Sequence, residues 1–425
     1  MHSSVHQTET LLFFTLLQLV IIIMAARLVG RIAERASQSR AVGEIVAGLL
    51  LGPSLFGLLA PDTFQYVFRS VGPEPMNILS QVGLILLMFQ IGLEFDFSHL
   101  SALRNRQAMM RISAAGLVLP FLLGLLFGWL SAPILAPGIN AGIYCLFVGT
   151  AFSITALPIL GRILMELGLN RSRVGVLAIS SAAVNDVVGW LLLAVVTALT
   201  VANFSAGNFA LRIGLLGAYI AACWWIARPL LLRVLRDGDG NPRPLSADLV
   251  GLFIGAIFLS GMATFQLGVF AIFGGFMLGV LLHDQPGFVA AWREKVGGFV
   301  LVFFLPIFFT YTGLRTNIGG LDSATDWGWC LLLVAMATVG KFGGCYIAAR
   351  KSGLDGRESR AIGIMMNTRG LMELVVLNVG LDLGVIPPDV FTMLVIMAIA
   401  STVATTPALR IWMRREQREA VAAAN

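Results

Sequence analysis

Apolar residues run in long blocks along this chain, separated by short polar stretches that are mostly basic. Thirteen blocks stand out, approximately at 11–29, 42–60, 76–95, 108–130, 139–165, 174–202, 209–233, 246–266, 268–282, 296–313, 327–349, 360–381 and 389–411. A helix of about 17–25 residues crosses a hydrocarbon core about 30 Å thick, and nearly every block reaches that length. Inside a bilayer each backbone N–H and C=O has to be satisfied within the protein, which a helix does and an open strand does not. The pattern therefore predicts an all-α membrane protein of thirteen transmembrane helices. The split near Gln266-Leu267-Gly268 leaves the shortest of them, 268–282.

Composition excludes a soluble chain: 57% of the 425 residues are hydrophobic, 12% are charged, and the mean hydropathy is +0.86. With the N-terminus outside, the loops expected in the cytoplasm hold 23 of the 29 Lys and Arg residues, Arg162, Arg171 and Arg173 among them. The opposite loops hold three, Arg69, Arg212 and Arg315, and another three, Arg228, Lys341 and Arg369, lie within spans. This asymmetry predicts an N-out, C-in orientation, and it accounts for the net charge of +6 without a nucleic-acid partner. Residues 1–10 carry no Lys or Arg, so the first block is expected to be an uncleaved helix and not a leader. Residues 412–425 are too few for a further folded domain, and a multi-pass protein of the cell (plasma or inner) membrane is expected. Cys145, Cys223, Cys330 and Cys345 lie at unrelated spacings within spans and read as packing residues.

The two halves of the chain echo each other. Ala47–Gly52 (AGLLLG) resembles Gly274–Gly279 (GGFMLG), and Met88–Glu94 (MFQIGLE) resembles Phe309–Arg315 (FTYTGLR). The interruption at Ser153–Pro158 (SITALP) has a counterpart at Asn367–Gly370 (NTRG). Each pair is seven spans apart, an odd offset that turns the second copy upside down. Helices 1–6 and 8–13 are thus expected to form an inverted repeat around helix 7, with crossed broken helices 5 and 12. That arrangement marks secondary transporters, whose site lies where the breaks meet. The glycine pairs Gly48/Gly52 and Gly275/Gly279 read first as close packing of helices, a subunit interface or sliding surface being the alternative.

Asp186 falls near the middle of the sixth block. A carboxylate there costs roughly 2.5–3.5 kcal/mol on insertion scales, which makes it a functional-site candidate, structural pairing being the rival explanation. Ala182, Ala183 and Gly189 lie one turn away and leave room for a backbone or an ion. Asn185 projects about 100° away from the Asp186 face, toward the broken helix or the cavity edge. Ser153 and Thr155 offer hydroxyls, and the interruption before Pro158 frees carbonyls, a plain proline kink being the alternative. Such oxygen donors suit a hard cation better than zinc or copper.

Lys341 is the only lysine within a span, and either pairs reversibly with Asp186 or stays as a fixed countercharge. Arg369 and Glu373, four residues apart, either pair with each other or leave Arg369 on the carbonyl end of a half-helix. Glu44 lines an entrance or faces water. His99 and His283 are candidate pH sensors or simply solvated loop residues.

With these residues in view, the chain resembles the monovalent cation:proton antiporter-2 family over nearly its whole length. The resemblance is carried by GEIVAGLLLGPSLFG (Gly43–Gly57), LILLMFQIGLEFD (Leu84–Asp96), SITALPILGRILMELGL (Ser153–Leu169), AAVNDVVGWLLLA (Ala182–Ala194), LPIFFTYTGLRTNI (Leu305–Ile318), GKFGG (Gly340–Gly344) and NTRGLMELVVLNVGLDLGVI (Asn367–Ile386). It implies a homodimer in which helices 1–3 (1–97) and 8–10 (241–318) form a dimerisation domain. Helices 4–6 (98–205) and 11–13 (319–425) would form a core transport domain that slides like an elevator, and helix 7 (206–240) a linker. It also implies that Asp186 is the essential carboxylate and Lys341 the basic residue of the eleventh span. Electrogenic relatives carry two adjacent Asp residues where this chain has Asn185-Asp186. One-for-one, electroneutral exchange is the simpler expectation, unless Lys341 supplies a second proton. Many relatives also end in a nucleotide-binding regulatory domain, which is not expected here.

The expected activity is exchange of Na⁺ or K⁺ for H⁺, with cation and proton competing for Asp186. Neither an enzyme nor a cofactor is implied; the partners are the monovalent cation, the proton, membrane lipid and a second copy of the chain. A sodium-coupled organic-anion symporter of the same inverted-repeat architecture is the alternative. An intramembrane aspartyl protease would need a second deep Asp, whereas Asp382 lies near a span end, and a channel suits a single buried Asp poorly.

Overall fold

The computed structural model describes residues 2–36, 38–93, 103–169, 172–201, 206–236, 243–267 and 271–413; His99, Arg171 and Gly268 lie outside them. Among the described residues the regular structure is helical, and nine helices are long and apolar enough to cross a membrane. Ala141–Ser153 and Ala271–Leu281 are apolar but shorter.

Helices occupy each predicted block, and the departures have local causes. The second block, expected over 42–60, is helical only through Arg40–Leu50. Gly52-Pro53 then ends it, because proline lacks the N–H and crowds the preceding turn. Short helices Phe56–Leu59 and Pro61–Phe68 follow. The fourth block is longer than expected, Leu103–Leu135, and runs over Pro120 and Pro133. The eleventh is helical from Ala324–Thr338 through Gly344–Lys351, with a π-helical turn at Val339–Gly343 between them. That turn carries Lys341, and π-turns of this kind are frequent at functional sites.

The chain separates into two compact units. One comprises Met1–Ile23, Gln65–Asp96 and Thr197–Tyr311. Within it, Glu74–Leu93 crosses Ala271–Leu281 at glycines: a Cβ on Gly279 would lie 2.9 Å from the Gly92 Cα. Arg228, one of the three cations placed within spans, pairs with Asp284 and donates from Nε to the Leu281 carbonyl at 3.1 Å. The other unit comprises Met24–Phe64, Phe97–Val196 and Thr312–Asn425. Here Gly48 and Gly52 meet Gly313, where a Cβ would lie 2.8 Å from the Leu49 nitrogen. The two crossings are equivalent under the sequence repeat, since Gly52 corresponds to Gly279 and Gly313 to Gly92. Glycine is required at both because backbone meets backbone, leaving no volume for a side chain.

Glu44 does not face water. It is 3% exposed and lies 3.7 Å from Arg27 and 3.5 Å from Arg40.

Candidate functional site

The larger unit contains both interruptions. The first divides Ala141–Ser153 from Leu157–Glu166. Asn140 starts the first half by accepting the Ile143 N–H at 3.2 Å, and the half ends where Ile154 turns extended (φ −68°, ψ 144°). Pro158 is the second residue of the other half, where a missing N–H would have had no helical partner. The second interruption divides Gly356–Met366 from Leu371–Asp382. Asp355 and Glu358 form a capping box at its start, with Asp355 Oδ1 accepting the Arg357 and Glu358 N–H groups at 2.7 Å. Its turn depends on Gly370, whose φ of 147° is open to glycine and strained for other residues.

The breaks touch through their backbones. The Ala156 N–H donates to the Thr368 carbonyl at 3.0 Å, and Thr155 Oγ1 donates to the Met366 carbonyl at 3.4 Å. Interrupting a helix strands the carbonyls of its last turn, and those of Ala141–Ser153 are taken by two buried cations. Arg369 donates to the Ala151 and Phe152 carbonyls at 2.8 Å each, and Lys341 donates to the Ser153 carbonyl. Both cations are fully buried. They sit at the negative end of a helix dipole, where positive charge is favoured. Arg369 also pairs with Glu373 at 2.8 Å, so pairing and helix capping occur together.

Ser153 takes part through its carbonyl. Its hydroxyl is turned back into its own helix, donating to the Thr150 carbonyl at 2.8 Å.

Asp186 projects from Arg173–Val201 beside this crossing. Gly189, one turn on, packs against the first break: a Cβ there would lie 3.1 Å from Ile154 Cγ1. The Asp186 carboxylate is 2% exposed. Burial works against its charged form more strongly than the Lys341 ammonium and the Leu157 backbone N–H, at the start of the second half-helix, work for it. Neither oxygen closes a hydrogen bond of normal geometry with the protein. Asn185, 1% exposed, points elsewhere, its Nδ2 against Gly116, and its amide atoms also lack protein partners. Asn367 Oδ1 and Glu373 Oε2 are in the same condition. Buried polar atoms without protein partners are scarce in native proteins, and water or an ion supplies the missing bonds at such atoms.

One set of residues was not singled out from the sequence. Thr402 Oγ1 donates to the Arg369 carbonyl at 2.5 Å and accepts the Arg369 N–H at 3.3 Å, while Thr405 and Thr368 hydroxyls meet at 3.1 Å. The signal was available: Ser401, Thr402, Thr405 and Thr406 put hydroxyls at helical spacing inside an apolar block. Asp382 is excluded as a second deep carboxylate. It is 39% exposed and pairs with Arg315 at 2.6 Å. His283 is held locally, with Nδ1 2.8 Å from the Val280 carbonyl.

The family described as sodium/hydrogen exchanger, transmembrane, matches residues 19–415. Na⁺/H⁺ antiporter NhaS4 of Synechocystis is 39% identical over 402 residues, covering 94% of this chain and 97% of the relative. Cation/H⁺ antiporter 18 of Arabidopsis thaliana is 34% identical over 92% of this chain, which spans 48% of that longer protein. The solved structure of the sodium proton antiporter MjNhaP1 from Methanocaldococcus jannaschii at pH 8 matches with a TM-score of 0.62 at 16% identity, over 93% of this chain and 95% of the other.

Proposed function

Because the chain belongs to the transmembrane sodium/hydrogen exchanger family, we propose that Asp186 holds either a proton or one Na⁺ or K⁺ and that the protein exchanges the two across the membrane. It is a transporter and not an enzyme, and cation/proton antiport is its activity. The single observation supporting the Asp186 assignment is a buried carboxylate whose oxygens close no hydrogen bond of normal geometry with the protein, set beside two touching helix breaks, the first of which already has cations on its carbonyl end.

Competition follows from this arrangement. A proton neutralises Asp186, and so does a bound monovalent cation; bare, it is a charge in a medium of low dielectric constant. Loading adds the same single positive charge to the buried set whether the ion is H⁺, Na⁺ or K⁺. Both loaded forms cross with the same charge, so one-for-one exchange is electroneutral. In this cycle Lys341, which donates to the Ser153 carbonyl, stays as a fixed countercharge and does not supply a second proton.

The same reading extends to the rest of the protein. Thirteen helices run N-out to C-in in the cell membrane, with 98–205 and 319–425 as the moving core. Residues 1–97 and 241–318 form the dimerisation part of an elevator-type homodimer, joined by 206–240. The cation/H⁺ antiporters named above favour this over sodium-coupled organic-anion symport.

Proteoliposomes carrying a trapped pH dye test the proposal, with Li⁺, Na⁺, K⁺ and Rb⁺ applied at several pH values. Lowering the pH is expected to raise the half-saturating cation concentration, by up to about ten-fold per pH unit where the proton occupies the site. Clamping the membrane potential should leave the reversal point where it is. Half-saturation that ignores pH would place proton and cation on separate groups, and a response to organic anions would revive the symporter.

A further inference from the structure

We propose that the groove between Leu103–Leu135 and Gly344–Lys351 is a binding site for one anionic phospholipid, its headgroup held by Arg111 and Lys351. The groove has a volume of about 650 Å³, within the span of small-molecule sites. Its mouth carries Arg111 and Lys351, joined by a hydrogen bond of 3.3 Å from Arg111 Nη1 to the Lys351 carbonyl. Its walls are apolar: Ala114 and Leu119 on one side, Gly344 and Ile347 on the other, and none of the residues lining it is acidic.

The dimensions suit a lipid. From Arg111 to Leu119 the helix rises about 12 Å, and from Lys351 back to Gly344 about 10 Å. Either distance approaches the depth of one leaflet of a hydrocarbon core about 30 Å thick. The charges therefore lie where a phosphate would, with apolar walls alongside the first acyl chain. Leu119 and Ile347, 38% and 51% exposed, open the groove toward the bilayer.

Charge complementarity selects this occupant. A soluble anion would leave the apolar walls uncovered, and a second copy of the chain meeting this face symmetrically would set Arg111 and Lys351 against like charges. The floor of the groove gives the site a role. Gly344 lies one turn beyond Lys341, so the lipid packs on the back of the helix that presents the buried ammonium. This inference rests on the chain being a membrane protein and is independent of the Asp186 assignment.

Native mass spectrometry of the delipidated full-length protein tests it, with phosphatidylglycerol and phosphatidylcholine of matched chains titrated separately. Two basic residues at a membrane surface correspond to a preference for the anionic lipid of roughly 30-fold. That preference should vanish in Arg111→Gln/Lys351→Gln and persist in the charge-matched control Arg35→Gln/Arg357→Gln. Ala114→Leu, which fills the groove without changing charge, should weaken both lipids. An equal preference in the Arg111/Lys351 variant and the wild type would overturn the site. Displacement of phosphatidylglycerol by glycerol 3-phosphate at matching concentration would reduce it to a headgroup anion site and overturn the lipid assignment.

Discussion

Asp186→Asn is expected to fold, to insert and to show no cation-dependent proton movement above that of protein-free vesicles. The side chains are nearly the same size, so packing against Gly189 and the first break is kept. No protein hydrogen bond of normal geometry is lost, because neither carboxylate oxygen closes one. Lys341 keeps its own acceptor, the Ser153 carbonyl, and is not left without a partner. What disappears is the group that a proton and a cation can each neutralise. Thermal unfolding in detergent should therefore match the wild type, while dequenching by Na⁺ or K⁺ falls to background. A variant that exchanges robustly would remove Asp186 from the mechanism.

The largest effect on stability is expected at Arg369. This side chain makes three hydrogen bonds of 2.8 Å, to the Ala151 and Phe152 carbonyls and to Glu373, with no exposed surface. Arg369→Met strands a buried carboxylate, and breaking such a pair costs about 3–5 kcal/mol. It also frees two carbonyls at the end of the first half-helix, each worth about 1–3 kcal/mol if left without a donor. Arg369→Met/Glu373→Met removes the stranded charge and should be more stable than the single variant, though below the wild type because the carbonyls remain open. Glu373→Gln keeps an acceptor for Arg369 and should be milder than either. Denaturant unfolding in a fixed detergent separates these outcomes. If Arg369→Met cost no more than a surface substitution, about 0.5 kcal/mol, the half-helix end would not depend on it.

Much of this architecture is legible in the order of residues. The block lengths locate the helices, and the Ser153–Pro158 and Asn367–Gly370 interruptions mark the two breaks, because proline and glycine act locally on the backbone. The rotation of Asn185 away from Asp186 follows from helix geometry alone. What the sequence leaves open are relations between distant segments. Arg369 could have paired with Glu373 or capped a half-helix, and only the fold brings Ala151 and Phe152 within its reach so that it does both. Ser153 offers a hydroxyl by its type alone; only the fold shows that the proton of this hydroxyl goes to its own helix, leaving the oxygen lone pairs open, and that its carbonyl accepts from Lys341. The early end of the second helix at Leu50 is legible in Gly52-Pro53, but hydrophobicity alone runs straight through it. Thr402 escaped notice because its function is to hold a backbone turn on another segment, which no local pattern encodes.

Burial gives these residues a common logic. Interrupted helices expose polar backbone where there is no water, and Arg369, Lys341 and Thr402 satisfy those groups. Asp186 is then the acidic side chain at the crossing with both oxygens left to be matched from outside the protein, where Glu373 leaves one.

The most direct measurement is the number of protons released when Na⁺ or K⁺ is added to the purified protein in weakly buffered detergent solution. At a pH where Asp186 holds its proton, the wild type should release one proton for each cation bound, and Asp186→Asn should release none. Cation binding without proton release, or release that survives in Asp186→Asn, would contradict a single carboxylate shared between the two ions.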